Sequence, residues 1–424
     1  LENAVKIAKP REGMTMNVEL QINNSVDPRA RFVSWAPSPC RIRVTNPSGV
    51  ITPTVNLTIT GVSAASAGAV VFRSGTTGAF SNSLTLSVPI NGTSVPFFTA
   101  GKFGRPSVNN GDVMIEARNG ATLVGRVPVM VRIRKNANVL TAGERSRFVA
   151  AFAQLNNQGL GRFADFRAMH TAAGDPEAHA GPGFLPWHRA YLLDLEREIQ
   201  AIDPSTSLPY WRFDQAAPNL FTLDFIGVSD SLGTVHFANT NPFQFWKTDG
   251  VQGVNRRPLN GWNPNTQGGP TVRTEAQTLA LGAQYPAFRT MQGNPHGTAH
   301  TRWGGSISSI PTAAKDPLFF LLHCNVDRLW AKWQRQNGRF NPAQAASYDS
   351  NAGNRIGHNL PDTMWPWNGI TGGQRPPTAP GGPLATSPCV SAPGLHPQVQ
   401  VTLDYQGAIG ANARMGFDYD DVQF

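Results

Sequence analysis

Up to about residue 131 the chain alternates apolar and polar positions in short runs, as in Cys40-Ile42-Val44, Val55-Leu57-Ile59, Leu84-Leu86-Val88 and Val127-Val129-Val131-Ile133. Successive side chains leave a strand on opposite faces, so this period of two predicts strands with one buried face. Gly, Pro, Asn and Ser break the runs regularly, which predicts an immunoglobulin-like β-sandwich. No histidine falls here and the carboxylates are scattered. Residues 1–131 therefore read as an accessory domain for binding, shielding or structure.

The pattern changes near Leu140. Thr141 followed by Glu144 forms a capping box, and Phe148, Ala151 and Leu155 then recur at helical spacing. A second helix is expected from Pro186 to Ile202, with Tyr191, Leu192, Leu195 and Ile199 on one face. A third is expected over His296–His300, and a fourth from Asp316 as N-cap, with Pro317 in its first turn. Four helices with inward polar groups are a common way for a bundle to hold metal. The long stretches 212–275 and 351–400, rich in Pro, Gly, Asn and Trp, are expected to form a pocket mouth. The fold class is thus α+β multidomain, an N-terminal β-sandwich (1–131) followed by a mainly α domain (132–424) built on a four-helix bundle.

Composition removes several alternatives. A net charge of +9 suggests an anionic partner, but the basic residues are dispersed. The densest group, Arg132, Arg134 and Lys135, lacks the interleaved aromatics of a base-stacking surface, so nucleic acid is not expected as a partner. No apolar run is long enough to span a bilayer. Three cysteines without a CxxC pair exclude a disulfide scaffold and zinc–thiolate chemistry. The chain starts at Leu1 without Met, so any leader is absent from it; the address stays open, with a secreted or periplasmic one favoured.

Nine histidines occur, none before His170, and six form two groups: His170, His179 and His188, then His296, His300 and His323. A lone histidine is more often a satisfied core residue than a ligand, but grouping changes that balance. His296 and His300 are four apart, so on a helix their imidazoles share a side. His323 from a neighbouring helix completes a three-nitrogen set, and His188 plays the same part beside His179 and His170. Imidazole suits Cu, Zn, Fe and Ni, whereas Mg and Ca require oxygen ligands. Neither the Glu-x-x-His of di-iron bundles nor the His-Glu-x-x-His of zinc hydrolases occurs. Copper is the best reading and zinc the second. Asp327, four residues after His323, is expected to orient a histidine from the facing helices; the bland alternative is a surface ion pair with Arg328 or Lys332.

At this point a family resemblance becomes specific. Residues 134–424 resemble the catalytic domain of type-3 copper proteins of the tyrosinase, catechol oxidase and polyphenol oxidase kind. The resemblance lies in RKN and LTAGE, GPGFLPWHR, PHGTAH with its following GG, DPLFFLLHCNVDRLWAKWQ, and the closing MGFDYDD. It implies two copper ions that use dioxygen to oxidise a phenol or catechol to an o-quinone. The first would take His170, His179 and His188; the second, His296, His300 and His323. It also implies that Phe319 packs on the ligands, and that Arg134 ties the opening of the domain to Phe417 and Tyr419.

Departures from the family pattern refine the expectation. Relatives that hydroxylate monophenols usually have Asn after the first histidine of the second copper and an upstream Glu. Here Gly297 and Gln292 stand at those positions, and an amide cannot act as a general base. Oxidation of o-diphenols is therefore expected to exceed monophenol hydroxylation. Ile310 aligns with the gate over the first copper and leaves the entrance partly open. Ala178 precedes His179, so the thioether of some relatives is absent, and Cys324 is expected as a buried thiol. Cys40 and Cys389 either link the two domains or remain two thiols. The expected partner is a small phenol. The alternatives are a dioxygen carrier like hemocyanin, and an enzyme kept latent by intramolecular cover from the N-terminal domain.

Overall fold

A computed structural model describes residues 16–48, 50–171, 174–257, 271–349, 353 and 355–424. The chain divides into two compact units: the residues up to Val33 with Pro37–Val131, and Ser34–Ala36 with Arg132–Phe424.

The first unit is built from strands β1 (Asn17–Ile22), β2 (Phe32–Val33), β3 (Ser38–Asn46), β4 (Thr54–Ser63), β5 (Val70–Arg73), β6 (Ser83–Pro89), β7 (Val95–Gly101), β8 (Val113–Asn119) and β9 (Thr122–Val131). They form a four-stranded sheet, β1-β3-β7-β5, and a five-stranded sheet, β2-β9-β8-β4-β6. The pairs are antiparallel except β2 with β9. The alternation seen in the sequence reappears as burial: Cys40, Ile42 and Val44 on β3 are sealed, while Arg41 and Arg43 face out. Gly125 on β9 is required by close approach, since a Cβ there would lie 2.9 Å from the Val18 carbonyl oxygen on β1.

The second unit is mainly helical, with α1 (Ala142–Asn156), α2 (Phe163–Met169), α3 (Asp175–Ala178), α4 (Phe184–Ile202), α5 (Glu275–Leu279), α6 (Tyr285–Phe288), α7 (Thr298–Trp303), α8 (Ile310–Ala313) and α9 (Leu318–Asn337). The capping box on α1 is present in full: Glu144 N–H donates to Thr141 Oγ1, and the Glu144 carboxylate accepts from Thr141 N–H. Helix α4 begins at Phe184, two residues before Pro186. A proline in a first turn loses no helical bond, because those N–H groups have no partner within the helix. The expected helix over His296–His300 is corrected. α7 starts at Thr298, after a wider π-type turn over Gly293–Gly297. The residue before a proline disfavours helical backbone, and Asn294, before Pro295, is extended at φ −141° and ψ 119°. α9 runs over Leu318–Asn337 with Pro317, not Asp316, at its N-cap, one residue later than expected, though Asp316 Oδ1 still accepts from Leu318 N–H at 2.8 Å.

Of the two long irregular stretches, 212–257 carries two short hairpins, Val228–Ser229 with Val235–His236 and Lys247–Thr248 with Val251–Gln252; 258–270 lies outside the described residues. In the second stretch, Trp365 and Trp367 are buried. Among the described residues, no helix is long and apolar enough to cross a membrane.

Candidate metal centre

Short helices, helix ends and the long helices α4 and α9 bring six imidazoles together. His170 caps α2, His179 follows α3, and His188 lies on α4 one turn after Phe184. Their ring centroids are 5.0, 5.1 and 5.7 Å apart. His296 in the π-type turn, His300 on α7 and His323 on α9 form the second group, with centroids 4.6, 4.8 and 5.2 Å apart. In each group one ring nitrogen per residue lies within 4.8 Å of the others. The groups adjoin, because the His188 and His323 rings stack at 4.2 Å with their planes 10° apart.

Hydrogen bonds aim the rings. His188 Nδ1 donates to the Phe184 carbonyl at 2.8 Å, His296 Nδ1 to Gln292 at 2.7 Å, and His300 Nδ1 to Ile307 at 2.6 Å. A carbonyl can only accept, so each neutral ring has its proton on Nδ1 and a lone pair on Nε2. The Nε2 atoms of His296 and His300 then face His323 Nε2 at 3.3 and 3.1 Å. At most one of these three nitrogens can carry a proton between them. His188 Nε2 and His323 Nδ1 find no partner among the described residues. Burial holds His170, His188, His296 and His323 well below the usual imidazole range, and pushes His300 down to about 4. These five rings are thus kept in the neutral form that binds metal. Nitrogens sharing a first-row metal ion at about 2.0 Å lie about 3.3 Å apart, so the second group fits one ion.

Aromatic rings and a cavity complete the site. Phe319 touches both groups, 4.6 Å from His170 and 4.3 Å from His323. Phe184 does likewise, 4.7 Å from His188 and 4.8 Å from His296. Sequence reasoning passed over Phe184, although its place four residues before His188 on one helix face was the available signal. A cavity of about 300 Å³ opens onto His170, His179, His296 and His300, and Gln292, Gly297 and Ile310 line it. Thr301, Ser308 and Ser309 add hydroxyls, and among the described residues the lining contains no charged side chain. Ile310 stands partly exposed.

The second expectation to correct concerns Asp327. It is buried, and its oxygens meet Arg189 Nε at 2.6 Å, Tyr419 OH at 2.6 Å and Arg134 Nη1 at 3.2 Å. It orients no histidine in these contacts, and it is no surface pair. The donors that reach it are two guanidinium groups and a phenol, while His188, His296 and His300 spend Nδ1 on backbone carbonyls. Arg134, also fully buried, lies 3.8 Å over the Phe417 ring, bonds Tyr419 OH at 2.8 Å and pairs with Glu196 at 2.8 Å. Its backbone joins Asp418 and Asp420. Cys324 is fully buried, and burial pushes its thiol up to about 12.

Two adjoining three-imidazole groups without a carboxylate, inside a helical unit, define a binuclear metalloprotein class. Residues 160–336 match the family described as the common central domain of tyrosinase. The chain is 32% identical over 265 residues to the tyrosinase of Streptomyces glaucescens, covering 56% of this chain and 92% of that protein. It is 29% identical over 248 residues to hemocyanin 1 of Megathura crenulata, covering 55% of this chain and 7% of that much longer protein. Among solved structures, a functional unit of octopus hemocyanin is similar with a TM-score of 0.46 and 21% identity, covering 69% of each chain. The chain belongs to the tyrosinase family of type-3 copper proteins. Its cofactor is a pair of copper ions, with dioxygen as the expected co-substrate.

Proposed function

We propose that this protein oxidises phenols with dioxygen to o-quinones, and acts on o-diphenols in preference to monophenols. His170, His179 and His188 would hold one copper ion, and His296, His300 and His323 the other. When bound, the pair supplies reversible two-electron exchange with dioxygen, which zinc cannot provide. Each o-diphenol gives up two electrons and two protons, so one dioxygen, reduced to two waters, serves two diphenols. The observation that carries the reading is the convergence of Nε2 lone pairs whose Nδ1 protons are fixed on Gln292 and Ile307 carbonyls.

The chain's own groups argue for the diphenol preference. Gln292 stands at the cavity wall where a base is needed to deprotonate a monophenol, and its amide cannot take that proton. Gly297 has no side chain to hold a water there. An o-diphenol is more acidic and needs less help. Oxidation of 4-methylcatechol and of its monophenol p-cresol, measured side by side on copper-loaded protein, tests this; a faster initial rate on p-cresol contradicts it.

The second reading is a dioxygen carrier, favoured by the similarity to hemocyanin 1. A catechol colour assay separates the two. We read residues 1–131 as an accessory β-sandwich and 132–424 as the di-copper domain, built on a four-helix bundle. If the accessory domain covers the site, limited proteolysis within it raises turnover.

A further inference from the structure

We infer that His358 is a positioning residue for His179: it staples the two stems of the loop that carries this ligand, so that the first histidine group is assembled before metal arrives. The inference rests on the reading of the two groups as copper sites. His179 sits on the least regular of the ligand-bearing segments. One helical turn, Asp175–Ala178, precedes it, and Ala180 beyond it holds a left-handed φ of 56°. His188, His296 and His300 are oriented by carbonyls within their own or the adjoining segment. The His179 loop is held by residues more than 100 positions away in the chain.

His358 is buried between the two stems. Gly183 N–H donates to its Nδ1 at 3.0 Å, and its Nε2 lies 2.8 Å from the Pro176 carbonyl oxygen. An amide N–H only donates and a carbonyl only accepts, so the ring is the neutral Nε2–H tautomer. One rigid plane thus joins the backbone three residues before His179 to the backbone four residues after it. The fit is close: a Cβ at Gly181 would lie 2.5 Å from His358 Nδ1, and one at Gly183 2.9 Å away. Further ties surround the staple. Arg355 donates to the Ala180 carbonyl, Tyr285 OH to that of Pro182, and the Glu177 carboxylate accepts Trp365 N–H and pairs with Arg375. Burial holds the His358 imidazole below its usual range, in keeping with a neutral ring. Groups that orient a ligand from behind typically change metal affinity about 10- to 100-fold when removed.

The test loads apo-protein with Cu(II) and follows copper per chain by equilibrium dialysis and electron paramagnetic resonance. Wild type is expected to bind two ions with a weak resonance, because paired Cu(II) ions couple. H358A is expected to bind one ion as tightly as wild type and the other about 10- to 100-fold more weakly, leaving an isolated Cu(II) signal. H358Q, whose amide offers both an acceptor and a donor, is expected to recover the second ion. Should H358A fail to fold, G181A displaces the same imidazole by contact and must show the same selective loss. Two ions at wild-type affinity in H358A, or in G181A where that variant decides, overturn the inference. A wild type that takes fewer than two ions instead overturns the copper reading itself.

Discussion

Arg189 and Asp327 form a 2.6 Å ion pair between α4 and α9, with both side chains sealed from solvent. Arg189 follows His188 directly, and Asp327 lies one turn after His323, so the pair fixes the two helices that bear these stacked imidazoles. The Arg189 guanidinium also lies 3.7 Å over the Trp330 ring. Removing one member of such a pair leaves a buried charge uncompensated, at a cost of about 3–5 kcal/mol. Asp327→Ala is therefore expected to lower unfolding free energy in urea by that amount. A loss below 1 kcal/mol would show that the pair is dispensable.

Much of this was legible in the chain. The period-two runs lie in β3, β4, β6 and β9, except that Ile133 falls beyond the end of β9, and the Thr141–Glu144 box starts α1. The six histidines singled out by spacing lie in two groups. What escaped depends on contacts remote in sequence. Nothing periodic marks His358 as a partner of Gly183, or Arg189 as the partner of Asp327. The π-type turn before α7 escaped because four-residue spacing fits it as well as an α-helix. Phe184 escaped because apolar residues around a histidine are too common to stand out.

The cavity wall predicts substrate charge. Among the described residues its lining offers no carboxylate to an ammonium group, so an amine-bearing catechol is expected to bind without an ion pair. 4-Methylcatechol is expected to exceed dopamine in kcat/KM by about tenfold, which corresponds to about 1.4 kcal/mol. Equal values would place an unrecognised acid at the site.

The same wall predicts a gain of function. A Cβ at Gly297 would lie 3.3 Å from the Gln292 carbonyl oxygen, a fit that a small shift accommodates. The double substitution Gln292→Glu with Gly297→Asn supplies a base and a group to hold water. The ratio of p-cresol to 4-methylcatechol turnover is expected to rise by at least about tenfold. An unchanged ratio argues against proton removal at this wall as the source of the preference.

Asp194 predicts a pH dependence. It lies buried on α4, accepts from Trp367 Nε1 and Ala385 N at 2.8 Å each, and burial raises its carboxyl to about 6. The folded state therefore holds a proton that the unfolded state releases near 4. Its stabilising contribution is complete below about pH 4 and is lost as pH rises through about 6. The stability gap between wild type and Asp194→Ala should shrink by about 2 kcal/mol between pH 4 and pH 7. A gap that widens over this range would contradict the sign.

The most direct test of the central claim is a copper titration of apo-protein in which catechol oxidation is read at each step. Activity is expected to require both ions, level off at two copper ions per chain, and stay absent when zinc replaces copper. Saturation at one ion, equal activity with zinc, or two bound copper ions without any o-quinone would contradict a di-copper phenol oxidase.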